Sequence, residues 1–199
     1  MKLISRQKNS IIQISEINLL ARYPEFFISE CEKGYQHQIN EVVDLILESQ
    51  GRYRVVLLAG PSSSGKTTTA HKISEEFGRR GVSAPVVSLD DFFLGMEFYP
   101  KLPDGSPDME AVDALDLPLI NETLRELLET GHATFPTFDF ERSCRGGKVN
   151  EITLGEKGVL VMEGLHAINP RLVEVLDPSS LFRVYVSTRT AYLDGETEV

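Results

Sequence analysis

The chain has 199 residues, 41% hydrophobic and 25% charged, a composition that suits one α/β core without disulfide or metal staples and does not suit a disordered chain. Its 30 Asp and Glu outweigh 20 Lys and Arg for a net charge of −10, a surface that repels nucleic-acid phosphates. Cys31 and Cys144 stand alone, the start MKLISRQKNS turns polar at once, and the longest apolar run is far short of a bilayer span. These features predict a reduced, cytoplasmic protein with neither membrane nor nucleic acid as partner.

In chain order, Ile11, Ile12, Ile14, Ile17, Leu19 and Leu20 suggest a short mixed strand and helix segment. Within 35–50, Ile39, Val42, Val43, Ile46 and Leu47 recur at spacings of three and four, which predicts an amphipathic helix that covers one sheet face. Residues 1–50 thus read as an N-terminal extension packed on a main domain at 51–199. From 54 the pattern becomes α/β. An apolar strand at 54–60 precedes a helix from Gly65 to about Phe77, and a second strand at 85–89 ends at Asp90 and Asp91. The stretch 92–113 carries Pro100, Pro103 and Pro107, with Pro118 just beyond, and reads as a long functional loop. Asp116 can cap a helix carrying Leu117, Ile120, Leu124, Leu127 and Leu128, with Gly131 as its stop. Residues 133–154 predict a small β-arm with Arg145, Gly146, Gly147 and Lys148 at its turn. Strands at 159–162 and 182–186 complete the set. The fold class is α/β, a doubly wound and mostly parallel sheet whose ligands bind beyond the strands' carboxyl ends.

Gly60, Pro61, Ser62, Ser63, Ser64, Gly65, Lys66 and Thr67 match G-x-x-x-x-G-K-[ST], between a strand and a helix as the motif requires. The two glycines allow torsions that gather backbone amides around phosphate oxygens, and the following helix, with Thr68 in its first turn, adds its positive end. Lys66 supplies a cation for the outer phosphates and Thr67 a hydroxyl for Mg²⁺. The expected ligand is a nucleoside triphosphate, ATP, with Mg²⁺. No Asn-Lys-x-Asp or Asp-x-x-Gly string marks a Ras-type GTPase, and a lone Glu163 ends the later strand, which favours a small-molecule kinase.

Further motifs carry a resemblance. Ser88, Leu89, Asp90, Asp91, Phe92 and Phe93; Pro103, Asp104 and Gly105; Asp113 to Asp116; Pro136 to Phe140; and Met162, Glu163 and Gly164 stand in the order seen in the uridine kinase/phosphoribulokinase family. The likeness covers about 40–190 and is greatest to bacterial uridine kinase-like nucleoside kinases. It implies a P-loop kinase fold and transfer of a phosphoryl group to the 5′-hydroxyl of a uridine- or cytidine-like nucleoside. In that scheme Asp90 is the general base and a candidate metal ligand, with Lys66 as its catalytic partner. Glu163 joins Thr67 at Mg²⁺, and Glu110 grips the ribose hydroxyls. Phe138 and Phe140 sandwich the base, and Arg145, with Arg142 nearby, reaches substrate or phosphate. Of four scattered histidines, His166 alone lies near this set.

Two positions depart from the family. Its uridine–cytidine kinases carry Tyr and His where this chain has Phe138 and Ser143, and a phenyl ring makes no hydrogen bond, which leaves the base open. The family also continues into an arginine-rich lid, whereas after Glu163 this sequence holds Arg171, Arg183 and Arg189 and no lysine. The resemblance therefore implies a kinase domain lacking its lid. Other alcohol acceptors stay open, although a sugar phosphate asks for cations and 92–118 holds Lys101 alone. A nucleotide-binding regulatory module with little turnover, and a homo-oligomer, also stay open.

Overall fold

The computed structural model describes residues 11–187 and 191–198. Its core grows from β2 (Val55–Ala59), where five successive side chains are buried, as a strand covered on both faces requires. Alternate side chains serve two cores. Val56 and Leu58 pack among Ile39, Val43, Ile46, Ala70, Ile73 and Phe77. Val55, Leu57 and Ala59 face Ile120, Leu124, Leu127, Phe135 and Ile152. Each such large apolar side chain contributes about 1.5–3 kcal/mol when fully buried.

Those neighbours define the layers. On one face lie α2 (Pro24–Glu48) and α3 (Lys66–Arg79); on the other lies α4 (Leu117–Thr130) with a hairpin of β4 (His132–Asp139) and β5 (Cys144–Thr153). The central sheet adds β3 (Val86–Ser88), β6 (Leu160–Glu163) and β7 (Leu181–Tyr185), in the order β3-β6-β2-β7, every pair parallel. A sheet with helices on both faces is the doubly wound arrangement the sequence predicts. A second small sheet joins the ends of the described chain: β1 (Ile11–Gln13) runs parallel to β8 (Ala191–Asp194), which pairs antiparallel with β9 (Thr197–Glu198), and α1 (Ile14–Leu20) continues directly from β1. Arg189 lies outside the described residues. Among the described residues no helix is long and apolar enough to cross a membrane.

Three differences from the sequence reading have physical causes. The helix expected at 35–50 begins at Pro24, a residue whose fixed φ suits the first helical turn. Its early part buries nothing and exposes Phe26 and Ile28, so no apolar stripe announces it. The arm's turn is not at Arg145, Gly146, Gly147 and Lys148, which belong to β5, but at 140–143. Asp139 makes that turn by accepting the amides of Glu141 and Arg142 at 3.0 and 3.1 Å, and Ser143 takes a φ of +51°. Gly146 serves a close approach instead: a Cβ there would meet Thr137 Oγ1 at 2.4 Å, beside the register shift between Pro136 and Phe138. Finally, the 92–113 stretch is ordered rather than open: a bridge between Phe93 and Leu115 draws its two ends together, a second between Lys101 and Pro107 closes its middle, and 3-10 turns form at Met96–Phe98 and Val112–Ala114. The α4 caps are as expected, Asp116 accepting from Leu119 N at 3.1 Å and Gly131 at a φ of +77°.

Candidate functional site

Three neighbouring strands deliver chemistry to one edge. In register, Glu163 of β6 lies between Leu58 of β2 and Ser88 of β3. Strands in a sheet run about 4.8 Å apart, so the segments leaving these positions converge: the 60–65 loop after β2 and Asp90 after β3. This is the carboxyl edge of the sheet, where such folds bind ligands.

The loop is shaped for an anion. Gly60 is required by contact, since a Cβ would meet the Val186 carbonyl oxygen at 2.2 Å and Ser64 Oγ at 2.7 Å. Ser63 and Gly65 take left-handed φ values of +59° and +84°, a backbone form that turns successive N–H groups into a concavity. Pro61 and Ser62 are exposed on its rim, and Pro61 accepts from Ser64 N at 3.2 Å. Ser64 is buried, and its Oγ has no hydrogen-bond partner among the described residues, an orphan that a ligand oxygen would satisfy. α3 starts at Lys66, adding the positive end of a 14-residue helix, with Thr68 exposed in its first turn. Lys66 Nζ donates to the Pro61 carbonyl at 2.9 Å, across the loop.

The cation side is equally defined. Thr67 Oγ1 donates to Glu163 Oε1 at 3.1 Å, so a hydroxyl and a buried carboxylate already share one spot. Asp90 sits on a 3-10 turn, Leu89–Phe92, capped by Ser88, whose Oγ accepts from Asp90 N at 3.3 Å. Its residue keeps a face to solvent, yet the protein packed around the carboxyl removes part of its water and raises its pKa above the usual aspartate range. The negative charge of Glu163 raises it further, while Lys66 and His166 oppose the shift. Two carboxylates that repel beside a hydroxyl and a lysine suit a hard divalent cation shared with phosphate oxygens. Among the described residues no group of three or more His, Cys, Asp or Glu could hold a metal alone, and Mg²⁺ characteristically relies on one or two carboxylates plus substrate oxygens. Thr67, Glu163 and Asp90 fit that role.

On the acceptor side the picture is mixed. Glu110 is exposed on the loop; its amide donates to Asp108 Oδ1 at 3.0 Å and its carbonyl lies 2.8 Å from His166 Nε2. Phe138 and Phe140 do meet, ring centroids 5.1 Å apart, but they extend a longer aromatic row: Phe138 to Phe93 at 5.8 Å, and Phe93 to Tyr99 at 5.8 Å. Burial raises the Tyr99 pKa and the nearby Asp90 charge adds to it, so the row starts beside the candidate base. Asp91 anchors it, accepting from Phe138 N at 3.2 Å. Arg145 points elsewhere in this structure, its Nη2 donating to Asp116 Oδ2 at 2.6 Å, and the highly exposed Arg142 sits by Asp139 at 3.7 Å. In the sequence Phe93 stands out only as part of a motif and His166 only as a neighbour of the site, and Tyr99 is not singled out. An aromatic three residues past Asp90, and a histidine three residues past Glu163, were the available signals. A groove of about 650 Å³ between α4 and the 171–175 segment is lined by none of the candidate residues.

Comparison with known proteins agrees with this fold. Residues 55–190 match the model described as the Phosphoribulokinase / Uridine kinase family. The uridine kinase of Lactobacillus helveticus is 26% identical over 135 residues, 67% of this chain and 61% of that protein. A uridine kinase of Geobacillus sp. is 30% identical over 135 residues, 67% and 60% of the two chains. The chain thus spans less than two thirds of these relatives. Among solved structures, a possible uridine kinase from Bacillus stearothermophilus superposes with a TM-score of 0.57 at 20% identity, covering 76% of this chain and 83% of that one. A D-glycerate 3-kinase from Cryptococcus neoformans gives 0.53 at 24% identity, covering 66% and 52%. Both likenesses are of fold.

Proposed function

Because the chain belongs to the phosphoribulokinase/uridine kinase family, we propose that it is an ATP- and Mg²⁺-dependent phosphotransferase acting on the 5′-hydroxyl of a uridine- or cytidine-like nucleoside. The reading rests on one observation: Thr67, in the first turn after the phosphate loop, donates to the buried Glu163 carboxylate at 3.1 Å, and Glu163 lies in register with Ser88 at the root of the Asp90 turn. The loop amides and Lys66 hold the polyphosphate, and Thr67 with Glu163 holds the cation. Bound there, Mg²⁺ neutralises charge on the outer phosphates. Asp90 takes the proton of the acceptor hydroxyl as its oxygen bonds to the terminal phosphorus, and the bond from that phosphorus to the departing diphosphate breaks. A carboxylate with raised proton affinity accepts that proton more readily than a free one.

A second acceptor class is favoured by the aromatic row, since Phe93, Phe138 and Phe140 present faces without hydrogen-bonding atoms and Arg145 is engaged by Asp116. Such a wall suits a planar or apolar group other than a pyrimidine read by its edge. The experiment is coupled detection of ADP release with ATP, Mg²⁺ and a panel of pyrimidine nucleosides, purine nucleosides and small non-nucleoside alcohols. Stimulation by uridine or cytidine supports the first reading, and stimulation confined to other alcohols supports the second. ATP binding without stimulation by any of them contradicts both.

A further inference from the structure

Two ties join the acceptor loop to the segment after β6. Arg171 holds Asp113 through both terminal nitrogens, at 3.1 and 2.6 Å, but the pair is about half exposed and screened by water. The other tie is His166 to the Glu110 carbonyl at 2.8 Å. A carbonyl oxygen only accepts, so Nε2 of His166 carries the proton and donates. The donor stands on a firm base. Gly164 packs so closely on the Asp90 turn that a Cβ would meet Leu89 Cβ at 2.8 Å. His166 itself lies in a turn closed by Ala167 N on Gly164 O at 3.3 Å and Asn169 N on His166 O at 2.7 Å, with Ala167 fully buried. The acceptor end is the middle of a short braced stretch, where Asp108 N donates to Pro100 O at 2.7 Å and Asp108 Oδ1 accepts from Glu110 N at 3.0 Å.

We propose that His166 is a positioning residue for the acceptor: by holding the Glu110 carbonyl it sets the 108–112 stretch, and with it the root of the Glu110 side chain, at a set place relative to Glu163 and Asp90. The inference rests on the reading of this cleft as the place of an alcohol acceptor. It assigns His166 no contact with the reacting atoms. What it supplies is registration between the strand that carries the cation ligand and the loop that receives the substrate, where a misplacement of about 1 Å costs up to roughly a hundredfold in rate.

The test pairs His166→Ala with His166→Gln, whose terminal amide also donates and reaches nearly as far as Nε2. Two readouts are taken on each chain: hydrogen exchange of the 108–112 amides, and steady-state kinetics with acceptor and ATP varied separately. In His166→Ala the exchange is expected to quicken by about tenfold. The acceptor KM should rise by about tenfold, with the ATP KM unchanged to within roughly twofold. His166→Gln should return both readouts most of the way. Unchanged exchange in His166→Ala would overturn the tie, as would a folded His166→Gln that behaves like His166→Ala. Equal rises in both KM values would overturn the positioning role. Quickened exchange in a chain whose unsubstituted form shows no acceptor-stimulated ADP release would remove the kinase reading and leave the tie standing.

Discussion

Asp90 and Glu163 place like charges at one edge of the sheet, and crowding around Asp90 adds the larger cost of ionising it. Both effects raise the proton affinity of the folded state above that of the unfolded chain. Through the window between the ordinary and the raised value the native state binds more protons, so stability falls as pH rises. Asp90→Asn removes the charge and is expected to raise the thermal midpoint at neutral pH, by roughly a few degrees at most for so accessible a group. That advantage over the unsubstituted chain should shrink as the pH is lowered through the raised value and Asp90 itself becomes protonated; melting curves across pH check it, and a gap that widens on acidification would contradict the assignment. Lys66→Ala acts on a different quantity. Losing one charged donor to phosphate should weaken ATP binding by about ten- to a hundredfold, measured by titration calorimetry.

Helix α3 links this edge to the rest of the fold, and its own anchor is an ionic knot. Glu76, largely buried, accepts from Arg79 at 3.0 Å and Arg80 at 2.9 Å, while Arg80 also reaches Asp44 on α2. The Arg79 bond holds the Glu76 carboxyl below its ordinary pKa, partly offset by burial and reinforced by Arg80. A lowered folded-state value means that the stabilisation is present above the unfolded carboxylate range and is lost as pH falls through the lowered value. Glu76→Gln should cost about 1–3 kcal/mol at pH 7, read from urea unfolding, with the difference fading in acid. The hairpin offers a steric counterpart. Gly146→Ala forces a Cβ onto Thr137 Oγ1, and because that hydroxyl also donates to the Lys148 carbonyl at 2.8 Å it cannot simply swing away. A loss of about 1–3 kcal/mol is expected. The same contact explains why a glycine pair that reads as a turn lies within a strand. The Asp139 side chain gathers two amides and makes the turn earlier, and local spacing does not reveal which of two turn formers prevails.

For the whole molecule, the legible part was the one that periodicity and strand–loop–helix order dictate. The buried run of β2, the phosphate loop, the Asp116 cap and the doubly wound sheet all come from local patterns repeated in order. The convergence of Asp90 and Glu163 was readable only through family resemblance, because it depends on β6 lying between β2 and β3, a pairing of strands far apart in the chain. The loop contacts were less legible still: His166 finds a backbone carbonyl, which has no sequence signature, and Arg145 is drawn to Asp116 by the chance of register. Asp90, the base in the proposed transfer to an alcohol, is the residue on which that proposal stands. The most direct test measures, on one preparation of Asp90→Asn, ATP affinity and acceptor-stimulated ADP release against the unsubstituted chain. The expected result is ATP affinity no weaker than before with release reduced by about 10²–10⁴-fold; release undiminished while ATP still binds would contradict it.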